Sequence, residues 1–72
     1  MRCNVNIFSK RLKELREHKN ISKYKLAKDI GVSDVCIGRW ENGTREPNIY
    51  NLKTLCVYFN CSADYLSGRE KE

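Results

Sequence analysis

The chain of 72 residues has one proline, one histidine, one tryptophan and only four glycines. No apolar run approaches the roughly 20 residues of a membrane span. The N-terminal stretch MRCNVNIFSKR lacks the long apolar segment of a signal peptide, so a cytoplasmic protein is expected. The four cysteines, Cys3, Cys36, Cys56 and Cys61, form no Cys-x-x-Cys pair, and His18 stands far along the chain from three of them, which argues against a metal site. A chain of this size buries only about 60% of its unfolded surface, enough for one small core and not for an enclosed active site. With a single histidine and no Ser-His-Asp set, no catalysis, cofactor or small-molecule ligand is expected.

What the chain has is positive charge and helical periodicity. Fourteen Lys and Arg against nine Asp and Glu give a net charge of +5 and a pI near 9.2. That balance suits a polyanion, although charge alone does not separate DNA from RNA or an acidic membrane surface. Phe8, Leu12 and Leu15 recur at i, i+4 and i+7 and predict a helix from about Ile7 to Lys19 with Asn6 as its N-cap. Lys10, Arg11, Lys13 and Arg16 fall on its other faces, and Lys10 and Lys13 read as solvated charges.

Ser22 has the residue type and place to cap a second helix starting at Lys23, in which Leu26, Ala27 and Ile30 share one face. Gly31 ends it, because glycine takes a left-handed backbone without strain. Ser33 stands as the cap of a third helix, about 34–42, with Ile37 and Trp40 on its buried edge and Gly43 after it. The loop Thr44-Arg45-Glu46-Pro47 follows. Ile49, Leu52, Leu55, Cys56 and Phe59 then form the stripe of a fourth helix, its apolar side against the preceding pair, with Asn60 as a left-handed stop. Ser62 can cap a short fifth helix, Ala63 to about Ser67, that brings Tyr65 and Leu66 into the core before Gly68. Five helices without a strand describe a compact all-α five-helix bundle, one domain over 1–72 with an ordered core of about 7–68 and a disordered tail at 69–72. Cys56 and Cys61 read as small core residues and Cys3 as part of a frayed terminus. Cys36 is the one thiol placed to face a DNA surface; packing is the stronger reading of it than redox sensing.

Helices two and three, joined at Gly31, have the pattern of a helix-turn-helix. A helix about 10 to 12 Å across fits a major groove about 12 Å wide, with the preceding helix braced across the phosphates. The bland alternative is an ordinary helical hairpin. Ser22 and Lys23 favour the first reading, since the free N-H groups and dipole of a helix N-terminus attract an anion.

The stretch GVSDVCIGRWENGTREPNIYNL followed by NCSADYLSG resembles the Cro and repressor type of helix-turn-helix domain. The resemblance runs from Phe8 to Gly68 and is most specific at Ala27 four residues before Gly31, WENG at 40–43, REP at 45–47 and the terminal S-x-D-Y-L. It implies a lambda-repressor-like bundle that binds operator DNA. Ala27 would be small because the two hairpin helices cross there. Arg16 and Glu41 would form an ion pair tying helix one to helix three, exposed and so worth only about 0 to 1 kcal/mol, with the arginine near a phosphate.

The resemblance also assigns the interface. Arg16, Ser22, Lys23, Ser33, Asn42, Thr44 and Arg45 are the candidate phosphate-binding residues; for Thr44 and Arg45 a solvated loop is an equal reading. Asp34, Val35, Gly38 and Arg39 hold the base-reading positions, where relatives commonly present Gln, Arg, Ser or Thr. Arg39 could take a guanine bidentately, Val35 a thymine methyl and Asp34 a cytosine amino group, and Asp34 could instead cap its own helix. Gly38 costs its helix up to about 1 kcal/mol relative to alanine, a hint of close approach or of tolerated drift.

Relatives work as dimers on two half-sites about 34 Å apart, so a homodimer on an inverted repeat is expected, with Tyr58, Ser62 and Ala63 at its contact and simple partial exposure as the plainer reading of Tyr58. The expected function is a sequence-specific double-stranded DNA-binding regulator, a repressor by resemblance. With no room after the domain for a sensing module, its regulation is expected to come from elsewhere. The rival is a protein-interaction module, an antitoxin or antirepressor-like partner, using the same hairpin surface.

Overall fold

Residues 5–68 are described in a computed structural model of the chain. Five helices follow in order: α1 (Val5–His18), α2 (Lys23–Ile30), α3 (Asp34–Asn42), α4 (Ile49–Phe59) and α5 (Ala63–Ser67). Among the described residues there is no strand. The expectations placed on Cys3 and on 69–72 lie outside the described residues.

Each helix from α2 onward starts at a side-chain cap. Ser22 Oγ accepts from the Lys25 N-H at 3.0 Å, Ser33 Oγ from Cys36 N-H at 3.1 Å, Asn48 Oδ1 from Asn51 N-H at 2.7 Å and Ser62 Oγ from Tyr65 N-H at 3.0 Å. Such caps satisfy N-H groups that the first turn leaves free and contribute about 1 kcal/mol each. Gly31 sits at φ 80° with its N-H on the Ala27 carbonyl, the left-handed turn that lets α3 fold back on α2. Asn60 takes the same region at φ 55°, as its sequence place suggests.

The core is built by α1, α2, α3, α4 and α5 together. Trp40, Phe8, Leu12, Leu26, Ile37, Leu55 and Leu66 are fully buried, and Ala27 is 3% exposed where α2 packs on α3. Trp40 meets Phe8 edge to face, with ring centroids 6.3 Å apart and planes at 76°. Trp40 is therefore core, as the periodicity indicates.

Two sequence expectations are corrected. Helix α1 is already helical at Val5, so Asn6 lies inside it and is not its cap. The helix ends at His18, where Asn20 at φ 62° closes it: the Ile21 N-H reaches back to the Arg16 carbonyl at 3.3 Å and the Asn20 N-H to the Glu17 carbonyl at 3.0 Å. Ile49 does not join the buried stripe of α4; it is 60% exposed at the first position of the helix, and Pro47 in the preceding loop is buried. Arg11, to which the sequence gives no role, differs from its exposed neighbours Lys10 and Lys13. It is 8% exposed, donates to the Tyr65 carbonyl and lies 4.3 Å from the centre of the Tyr65 ring, fastening α5 to α1.

Candidate nucleic-acid interface

Helix α3 has two sides of opposite character. At 100° per residue, Asp34, Gly38, Asn42, Val35 and Arg39 fall within an arc of about 140°. Asp34, Val35, Arg39 and Asn42 are all exposed, Val35 by 58%. Ile37 and Trp40 occupy the opposite arc and are buried. A Cβ added at Gly38 would meet nothing within 4 Å, so packing among the described residues does not require the bare backbone there.

The back of α3 is fixed to α1 at two further points. Ser9 Oγ donates to the Trp40 carbonyl at 2.5 Å. Arg16 donates from Nε to Glu41 Oε2 at 2.6 Å and from Nη2 to Oε1 at 3.1 Å, while its Nη1 reaches the Ile21 carbonyl at 2.8 Å. The two side chains are only 12% and 3% exposed, so the pair expected as an exposed one is largely buried. The hydrogen bonds to Glu41 are the first cause that raises the Arg16 pKa above its ordinary value. Two-pronged geometry of this kind fixes orientation as well as charge.

The candidate phosphate residues divide by what already occupies them. Ser22 and Ser33 each accept one backbone N-H as caps, keep the O-H as a donor and remain exposed; Lys23, Asn42 and Arg45 are exposed, Lys23 in the first turn of α2 and Arg45 in the loop after α3. The Thr44 hydroxyl donates to the Arg39 carbonyl at 3.2 Å and its N-H to the same oxygen at 3.1 Å, closing the C-terminus of α3. Asp34 stands in the first turn of α3, where the dipole favours a carboxylate.

The three candidate dimer residues are engaged within the chain. Tyr58 donates from its hydroxyl to Asp29 Oδ2 at 2.6 Å, tying α4 to α2, and Lys19 Nζ lies 5.0 Å from its ring centre. That bond, then the one from Lys25, holds the Asp29 carboxyl below its usual pKa, and the bond to Asp29 pushes the Tyr58 phenol up. Ser62 caps α5, and Ala63 packs half-buried against the core. Cys36 is half-buried against the core as well. Burial pushes the Cys56 thiol up to about 11 and raises Cys61 too. Ser9, Arg11, Asn20 and Asp29 were not singled out from the sequence. Among the described residues no group of three or more His, Cys, Asp or Glu could hold a metal, and no helix is long and apolar enough to cross a membrane.

A helix-turn-helix family model matches residues 12–66, which takes in the hairpin, its brace on α1 and both C-terminal helices. The chain belongs to the Cro and repressor type of helix-turn-helix family. Within that family it is 38% identical over 64 residues to the transcriptional activator BcrR of Enterococcus faecalis, covering 88% of this chain and 31% of BcrR. It is 38% identical over 63 residues to the repressor protein C2 of Salmonella phage P22, covering 88% of this chain and 29% of that repressor. The chain thus spans about a third of the length of these curated relatives. The crystal structure of the P22 c2 repressor with a synthetic operator superposes with a TM-score of 0.83 at 36% identity, over 89% of this chain and 97% of that one. The five-helix fold expected from the sequence is that of its repressor relatives.

Proposed function

We propose that the protein is a sequence-specific double-stranded DNA-binding transcriptional regulator, a repressor, which inserts α3 into the major groove and acts as a homodimer on an inverted repeat. The observation that carries this reading is the divided character of α3. One side is locked to α1 by Ser9, Arg16 and Phe8; the other presents Asp34, Val35, Arg39 and Asn42 exposed, with Gly38 among them. The P22 c2 repressor, a chain of the same fold, was solved with its operator, which supports the same use here.

In this reading Arg39 is the principal base reader, with Val35 against a thymine methyl. Asp34 and Gly38 set what can approach. Lys23 and the N-terminus of α2, with Ser22, Ser33, Asn42 and Arg45, hold the backbone, and Arg16 stands close to it. Thr44 serves the interface by shaping the end of α3 as well as by direct contact. Tyr58, Ser62 and Ala63 border the dimer contact. The reading involves no catalytic step, no cofactor and no small-molecule ligand.

Titration of an operator duplex at several salt concentrations tests the backbone contacts. Log affinity should fall linearly and steeply with log salt, by about 0.9 per phosphate neutralised. A flat line would refute a DNA-backbone mode.

A further inference from the structure

Two backbone hydrogen bonds around a left-handed residue close the end of α4. Asn60 stands at φ 55°, its N-H donates to the Val57 carbonyl at 3.3 Å, and the Cys61 N-H reaches back to the Cys56 carbonyl at 3.0 Å. This is the Schellman turn, in which the residue after the left-handed one folds over the residue five places before it and their side chains meet. The same reach of the backbone closes α1, α2 and α3, from Ile21 to Arg16, Val32 to Ala27 and Thr44 to Arg39. Of these four turns, only the one at α4 pairs two cysteines.

Both thiols are free, and they share a hydrogen bond. Cys56 belongs to the buried core and Cys61 packs half-buried at its margin, so the turn holds one sulfur inside and the other within reach of solvent. Burial is the first cause that raises both thiols; the bond between them then separates the two, raising Cys56 and lowering Cys61. Cys56 is thus the donor, and Cys61 is the sulfur that gives up its proton more readily. A disulfide needs two side chains aimed at each other across a short backbone separation. A turn that already brings the thiols into contact asks only for a small side-chain adjustment.

We propose that Cys56 and Cys61 are a modification site, oxidised by a low-molecular-weight disulfide to an internal bridge that staples the end of α4. The Cys61 thiolate attacks one sulfur of that disulfide, and the other sulfur leaves as a thiolate. Cys56 then gives up its proton to solvent and attacks Cys61 Sγ in the mixed disulfide, and the second small thiol departs. Two cysteine thiols are oxidised and one external disulfide is reduced to two thiols. Because the thiolate is the nucleophile and burial keeps both sulfurs protonated, the first step is slow at neutral pH and quickens as pH rises. The bridge fixes the corner between α4 and α5, so it acts on the stability of the fold and stands independently of the DNA reading.

Incubation of the folded wild-type chain with oxidised glutathione at about pH 8.5, followed by alkylation of the remaining thiols and tryptic mapping, tests it. The peptide spanning 54–69, which holds both cysteines, should emerge two hydrogens lighter and unalkylated. The oxidised chain should unfold about 5 °C or more above the reduced one. Cys56→Ser should stop at the glutathione adduct of Cys61, whereas Cys61→Ser should leave that peptide almost unreacted, because Cys56 is the buried sulfur. A 54–69 peptide that stays fully alkylated, a bridge from either residue to Cys3 or Cys36, or an oxidised chain that melts no higher than the reduced one would overturn the proposal.

Discussion

Arg16 holds Glu41 by two hydrogen bonds and the Ile21 carbonyl by a third, so one guanidinium joins the end of α1, the approach to α2 and the last turn of α3. Exposed pairs contribute about 0 to 1 kcal/mol, but removing one member of a buried pair leaves an uncompensated charge. Here the Glu41 side chain is 3% exposed in the pair, and without Arg16 its carboxylate loses both of the hydrogen bonds it accepts from the guanidinium.

Arg16→Ala should therefore destabilise folding by about 2 to 4 kcal/mol in urea titrations, and not chiefly weaken DNA binding as the sequence alone suggests. Arg16→Lys should recover little of this, because an ammonium cannot copy the two-pronged contact and still reach Ile21. Stability within about 0.5 kcal/mol of wild type for Arg16→Ala would contradict the structural role.

Gly38 and Gly43 should respond in opposite directions to alanine. A Cβ at Gly38 is unobstructed, so Gly38→Ala should stabilise α3 by about 0.5 to 1 kcal/mol, and DNA affinity should fall if the duplex comes close to that backbone. Gly43 is at φ 78°, and a Cβ there would stand 3.4 Å from Ser9 Oγ. Gly43→Ala should lose about 1 kcal/mol or more. Thermal unfolding of the two variants, followed by titration of Gly38→Ala with operator, checks both.

The frame of the fold was legible in the sequence because local rules decide it. Ser22, Gly31, Ser33, Gly43, Asn60 and Ser62 each act at the position their residue type indicates, and Leu12, Leu26, Ile37, Trp40 and Leu55 follow helical spacing into the core. What was not legible depends on partners distant in the chain. Arg11 and Tyr65 are 54 residues apart, Ser9 and Trp40 31, Asp29 and Tyr58 29. No periodicity within α1 distinguishes Arg11, which crosses to α5, from Lys10 beside it. Arg16 was found only through the family resemblance, and its burial only through the fold.

The buried thiol gives stability a defined alkaline dependence. Unfolded, Cys56 ionises near 9; folded, burial holds it protonated to about 11. The unfolded chain thus loses its proton first, and stability should fall as pH rises from about 9 to about 11. The raised Cys61 and Tyr58 act in the same direction. Cys56→Ala should flatten this part of the stability profile measured by urea titration at each pH; an unchanged slope would count against the burial of that thiol.

Arg39 is the strongest donor on the exposed side of α3. Arg39→Ala should lose about 1 to 3 kcal/mol of binding and relax the preference at one base pair. Competition against duplexes varied one position at a time separates the cases. Equal loss across all sequences would make Arg39 a phosphate contact and shift discrimination to DNA shape.

The central claim is that the exposed side of α3 reads DNA. Selection of bound fragments from a random duplex pool with purified protein tests it most directly. An inverted repeat with half-site centres about one helical turn apart is the expected result, lost or altered in Arg39→Ala. A pool that shows no enrichment over its input, with a chain that remains folded, would contradict it.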